Sequence, residues 1–234
     1  FVAYKFALEI QGADVAACQA SVLAVGNGGD ALSFAQDIPG ADLKALEARV
    51  LAVGTGSHAV SFARHIRGAD LKALEARVLA VGTGHDAFEF AKYVPGANLK
   101  ALQDRVLEVG FDATAFCFAR DIAGADIPAL QALVLNVGDE RKLHGAPDDG
   151  MCVLEFASEI RGADIPALQA RILAVPDARV LFEFARDVPG ADVPKLFERA
   201  KEVGFDSCVD DSIEIEFAFA SLCDHYCAQR KWSD

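Results

Sequence analysis

The sequence predicts an all-α protein: an α-solenoid of seven 28-residue two-helix repeats followed by a C-terminal capping helix. Three observations predict it. Gly-Ala-Asp starts at Gly12, Gly40, Gly68, Gly124, Gly162 and Gly190, and Gly-Ala-Asn starts at Gly96. The interval is 28 residues everywhere except between Gly124 and Gly162, where it is 38. In register with these, Phe6, Phe34, Phe62, Phe90, Phe118, Phe156 and Phe184 recur, each followed by Ala. Self-similarity at a fixed period of this size marks stacked supersecondary units, each unable to bury its own apolar face.

Let each unit be numbered from its Gly as position 1. Position 3 is Asp14, Asp42, Asp70, Asn98, Asp126, Asp164 or Asp192. Asp and Asn accept from the free N–H groups of a first helical turn, so a helix begins here. Pro128, Pro166 and Pro194 fall at the second helical position, where a missing N–H costs nothing. Apolar residues at positions 4, 7, 11 and 14 (Leu43, Leu46, Val50 and Val53 in the second copy) mark one helix face. Gly26, Gly54, Gly82, Gly110, Gly138 and Gly204 then end the long helix, read as left-handed C-caps, with Pro176 in that role once.

A shorter helix follows. Its stripe is Phe, Ala and, four residues after the Phe, Ile or Val, as in Ile38, Ile66 and Val94. Pairs such as Pro39-Gly40 and Pro95-Gly96 end it. Helices of about 9 and 11 residues are marginal alone, so each Phe must be covered by the next unit. Residues 1–206 are therefore the repeats, with an insertion at about 139–150, and 207–234 hold the capping helix. The insertion, with Gly and Pro among charges, reads as a mobile loop. The first unit has no equivalent cap, which suggests end-to-end self-association through that face.

Composition narrows function more than it defines it. A net charge of −13 disfavours nucleic acid and anionic membranes as partners. No run of uncharged apolar residues is long enough to span a bilayer. The six cysteines do not follow the repeat, which excludes a disulfide framework and favours a reducing intracellular compartment.

Four features could carry function. The turn after Val-Gly varies while its frame is fixed, which makes Asn27, Thr55, His58, Thr83, His85, Phe111 and Arg179 candidates for partner binding. The insertion adds Arg141 and His144. Arg49, Arg77, Arg105, Arg171 and Arg199 share position 10 and should form a ladder. It reads as an inter-repeat ion-pair row with acids such as Glu47 and Glu75, or as a groove for an acidic peptide or phosphate. Lastly, Cys223 and Cys227 share a helix face, with His225 turned away; with no fourth ligand for zinc they read as core cysteines. No nucleophile–base pair or phosphate loop is found, and neither an enzyme nor a cofactor is expected. Gly26-Asn27-Gly28-Gly29 lies between helices rather than after a strand, which rules out the dinucleotide fingerprint.

The turns Val25-Gly26-Asn27-Gly28-Gly29-Asp30-Ala31-Leu32 and Gly84-His85-Asp86 resemble the variable turns of transcription-activator-like effector repeats. There, too, two helices flank a short turn carrying Asn-Gly or His-Asp. The resemblance covers these turns alone and implies a reader of nucleic acid. The unit here is shorter, and where that family follows the turn with Lys and Gln this chain has the acidic Asp30 and Glu89. The primary expectation is a non-enzymatic scaffold for a protein or peptide partner. A nucleic-acid reader and a structural protein assembling end to end are the alternatives.

Overall fold

The computed structural model describes residues 2–143, 150–204 and 212–230, and the side chains of all of these except 137–143, 212–215 and 228–230. Among the described residues every regular element is a helix, and adjacent helix pairs stack as an α-solenoid. The chain divides into two compact units, Phe1–Gly110 and Phe111–Asp234.

The first unit runs α1 (Val2–Glu9), α2 (Val15–Val25), α3 (Gly28–Asp37), α4 (Leu43–Val53), α5 (Gly56–His65), α6 (Leu71–Val81), α7 (Gly84–Tyr93) and α8 (Leu99–Val109). Odd-numbered helices are the short, Phe-bearing ones. Phe34, Phe62 and Phe90 are fully buried, with Leu46, Leu74, Leu102, Val50, Val78 and Val106 of the long helices around them. Ala31, Ala59 and Ala87, three residues before each Phe, are sealed as well. Burying one such Phe contributes on the order of 2–3 kcal/mol.

The second unit runs α9 (Asp112–Asp121), α10 (Ile127–Leu143), α11 (Met151–Glu159), α12 (Ile165–Ile172), α13 (Ala178–Asp187), α14 (Val193–Val203) and α15 (Ser212–Arg230). Phe118, Phe156 and Phe184 repeat the pattern. α15 carries the repeat's Phe-Ala pair once more, at Phe219-Ala220, 35 rather than 28 residues after Phe184; Phe219 is fully buried, and its ring packs 5.4 Å from Phe182 and 5.2 Å from Phe197. The last helix is thus a lengthened copy of the repeat's short helix.

Four expectations are corrected. The glycines after the long helices are not left-handed: Gly26, Gly54, Gly82 and Gly110 are extended, with φ of −69°, −72°, −75° and −85°. Space is what demands Gly there, since a Cβ on Gly26 would lie 2.6 Å from the Val22 carbonyl oxygen. The left-handed residues are those opening each unit, such as Gly40 at φ +81°, together with Gly150 at the α11 N-cap and Gly204, the one described helix-ending glycine that joins them. Second, α10 continues through Gly138 to Leu143, so the start of the insertion is helical; residues 144–149 lie outside the described residues. Third, α12 stops at Ile172, and Ala174 and Val175 tighten into i→i+3 bonds ahead of Pro176. Fourth, the buried stripe of the long helix is narrower than predicted. Positions 7 and 11 are sealed, but Leu43 and Val53 at positions 4 and 14 are 38% and 45% exposed.

Candidate functional site

The variable turns turn out to be built from capping chemistry. Asn27 caps α3: its side-chain oxygen accepts from Asp30 N–H at 2.9 Å, while Asn27 N–H donates to Asp30 Oδ2 at 3.0 Å. Thr83 and Asp86 make the same box at α7, with Thr83 N–H and Oγ1 donating to Asp86 Oδ2 at 2.8 and 2.9 Å. At α5 the partner of Thr55 is His58, whose Nδ1 accepts from Thr55 N–H at 3.1 Å. Such reciprocal boxes satisfy two orphan N–H groups each. So Asn27, Thr55, His58 and Thr83 each hold a helix start.

The remaining turn residues are freer. His85 is exposed, its ring 6.3 Å from Phe88. Phe111 stands at the α9 N-cap with no side-chain cap bond and is mostly exposed. Arg179 pairs with Glu183 at 3.0 Å one turn on, at the surface. The Arg141 side chain and His144 lie outside the described residues.

Between the cap and the preceding helix, backbone meets backbone. Gly28, Gly56 and Gly84 open the short helices, and a Cβ on any of them would overlap the Cα of Gly54, Gly82 or Gly110 in the next repeat. Successive turns therefore stack at glycine-only distance.

The arginine ladder serves the same stack. Arg49 Nε and Nη2 donate to Gly26 O at 2.9 and 2.6 Å. Arg77 does so to Gly54 O at 3.0 and 2.6 Å, and Arg105 to Gly82 O at 3.1 and 2.8 Å. In the second unit Arg199 Nε reaches Leu173 O at 2.9 Å, following the early end of α12. Arg171 sits one repeat before Arg199 at the same position. The guanidinium groups of Arg49, Arg77, Arg105 and Arg199 thus each close an orphan carbonyl at the end of the preceding long helix, a charge-assisted C-cap supplied by the neighbour.

A second set of rungs was not anticipated in the sequence. Position 8 is Gln or Glu in all repeats except the last, where it is Phe197. Asp42 N–H donates to Gln19 Oε1 at 2.9 Å, Asp70 N–H to Glu47 Oε1 and Asn98 N–H to Glu75 Oε1, both at 2.6 Å. In the second unit Asp164 and Asp192 donate to Gln131 and Gln169. Glu47 and Glu75 therefore bind backbone N–H groups of the following repeat rather than the arginines. The signal was present as an amide or carboxylate at one fixed position, next to a buried stripe.

With caps, glycines, arginines and position 8 committed to stacking, the exposed side of the long helices remains. The exposed residues of α2, α4 and α6 are Ala16, Ala17, Ala20, Ser21, Ala24 and Val25, then Leu43, Lys44, Ala48, Ala52 and Val53, then Lys72, Ala76, Ala80 and Val81. No carboxylate is among them, in a chain with 35 acidic residues. Val25 is 83% exposed and Val81 45%. On α8 the same positions carry Asp104 and Glu108, which end the acid-free face. Lys44 and Lys72 stand at one edge of it.

Among the described residues no cluster of three or more His, Cys, Asp or Glu could hold a metal, and no helix is long and apolar enough to cross a membrane. None of the described cysteines is in a disulfide. Fold and surface together define a helical repeat protein whose helices α2, α4 and α6 expose no carboxylate. Comparison with protein-family models, with curated proteins and with solved structures finds no match.

Proposed function

We propose that this chain is a non-enzymatic scaffold whose first unit binds a protein or peptide on the outward face of α2, α4 and α6. One observation carries the reading: three successive long helices expose alanine, valine and leucine and no acid, although the chain is strongly acidic. A contiguous apolar patch on a charged protein marks an interaction surface. Alanines let a partner backbone approach closely, and the exposed valines supply area to bury. Lys44 and Lys72 favour a partner with carboxylates at that edge.

The test is capture of partner from the native source by wild-type chain and by Ala48→Glu/Ala76→Glu. Loss of capture in the charged variant, with helicity unchanged, supports the reading. Equal capture overturns it. A second reading, self-association through α1, rests on Phe6, Leu8 and Ile10, each about half exposed where Phe34 is sealed. Light scattering that gives a concentration-dependent mass, abolished by Phe6→Asp, would favour it over the first.

A further inference from the structure

The last helix departs from the repeat in two ways, and both deliver a thiol. In every other short helix the chain leaves the helix at position 26, and position 27 is a branched aliphatic. Ile38, Ile66, Val94, Ile122, Ile160 and Val188 are all buried there. In α15 the register set by Phe219 places Cys223 at position 27. The helix then continues to Arg230 and sets Cys227 one turn further on.

Helix geometry fixes what this pair can do. Residues four apart face the same way with Cβ atoms about 5–6 Å apart, whereas a disulfide needs about 3.5–4.5 Å. The helix holds the two thiols together yet too far apart to join. Cys223 is half-buried and Cys227 exposed, so the pair opens to solvent on one side. Zinc asks for four ligands, and no cluster of three exists among the described residues. Two soft sulfurs with no third ligand among the described residues suit a monovalent soft ion that accepts linear coordination.

We propose that Cys223 and Cys227 form a two-thiolate binding site for copper(I). Two S–Cu bonds form, two thiol protons pass to water, and no electron is transferred. The ion staples two turns of the helix that seats Phe219 between Phe182 and Phe197.

The experiment titrates the reduced full chain, without oxygen, with copper(I) held by a coloured bicinchoninate chelator. One equivalent should leave the chelator for wild type, and equally for a variant with Ser at Cys18, Cys117, Cys152 and Cys208. Cys223→Ser and Cys227→Ser should each lose roughly 100-fold or more in affinity, with helicity unchanged. No transfer to the variant that keeps only this pair, or wild-type affinity in the double Cys223→Ser/Cys227→Ser variant, overturns the site. Wild type alone gives a second readout. One equivalent of copper(I) should slow alkylation of Cys223 and Cys227 together; slowing at other cysteines instead contradicts the proposal.

Discussion

Replacing Gly56 by Ala should destabilise the first unit, although Gly56 opens a helix. On intrinsic propensity alone the change favours folding by up to about 1 kcal/mol. The structure opposes it. The new Cβ would overlap Gly82 Cα and lie 2.7 Å from Asp86 Oδ2. Neither neighbour can yield cheaply. Gly82 O is held by Arg105 at 2.8 Å, and Asp86 is fixed in its capping box with Thr83. The two repeats must move apart instead, and overpacking of this kind costs about 1–3 kcal/mol before the weakened rung is added. The net expectation is a loss of about 2 kcal/mol, or a Tm lower by roughly 4–8 °C for a chain of this size. Gly40→Ala is the matched control. Gly40 has φ +81° and nothing within 4 Å of its would-be Cβ, so its cost of about 1 kcal/mol is conformational only. Asn tolerates the left-handed region, so Gly40→Asn should recover part of that loss, whereas Gly56→Asn should be worse than Gly56→Ala. Urea unfolding followed by far-ultraviolet circular dichroism reads all four. A Gly56→Ala chain as stable as wild type would refute the stacked-turn geometry.

Phe90→Ala should cost about 3–5 kcal/mol, against less than about 1 kcal/mol for Glu89→Ala, which loses only a surface pair with Arg64 at 3.0 Å; equal costs in urea unfolding would contradict the packing. Arg77→Ala should cost about 1.5–3 kcal/mol because a half-buried guanidinium leaves the Gly54 carbonyl, and Arg64→Ala should fall well short of it. Tyr4 donates to Asp37 at 2.5 Å, and this bond, then burial, raises its pKa above the ordinary 10. A raised folded pKa means that its contribution is present below pH 10 and lost as pH climbs through the folded value. A spectrophotometric titration should show a late tyrosinate step that Tyr4→Phe removes; an unchanged curve would contradict the bond.

The repeat, the caps and the Phe row were legible because each is local: a period, an N-cap residue, an i to i+4 spacing. What the sequence hid lies between repeats. The bonds from Arg77 to Gly54 and from Asp70 to Glu47 join residues 23 apart, and no helical periodicity encodes them. Gly54 ended its helix as expected but for a different reason: whether a Gly serves handedness or closeness depends on what stands opposite it. Leu43 and Val53 look like core by pattern and are half-open because the neighbouring helices do not reach them. That misreading concealed the outer face, since alanines on a helix exterior carry no motif. The eighth Phe, Phe219, was hidden by its different spacing from Phe184 and by a helix longer than the repeat allows.

The most direct test of the proposed binding face is a map of where a partner lands. A photoreactive residue placed singly at Ala48, at Ala76 and at Gln36 samples the outward face of α4 and α6 and, for contrast, the short helix α3. The account predicts cross-links to one and the same partner from Ala48 and Ala76 and none from Gln36. Cross-links from Gln36 with none from either alanine would place the binding surface on the short helices and contradict it.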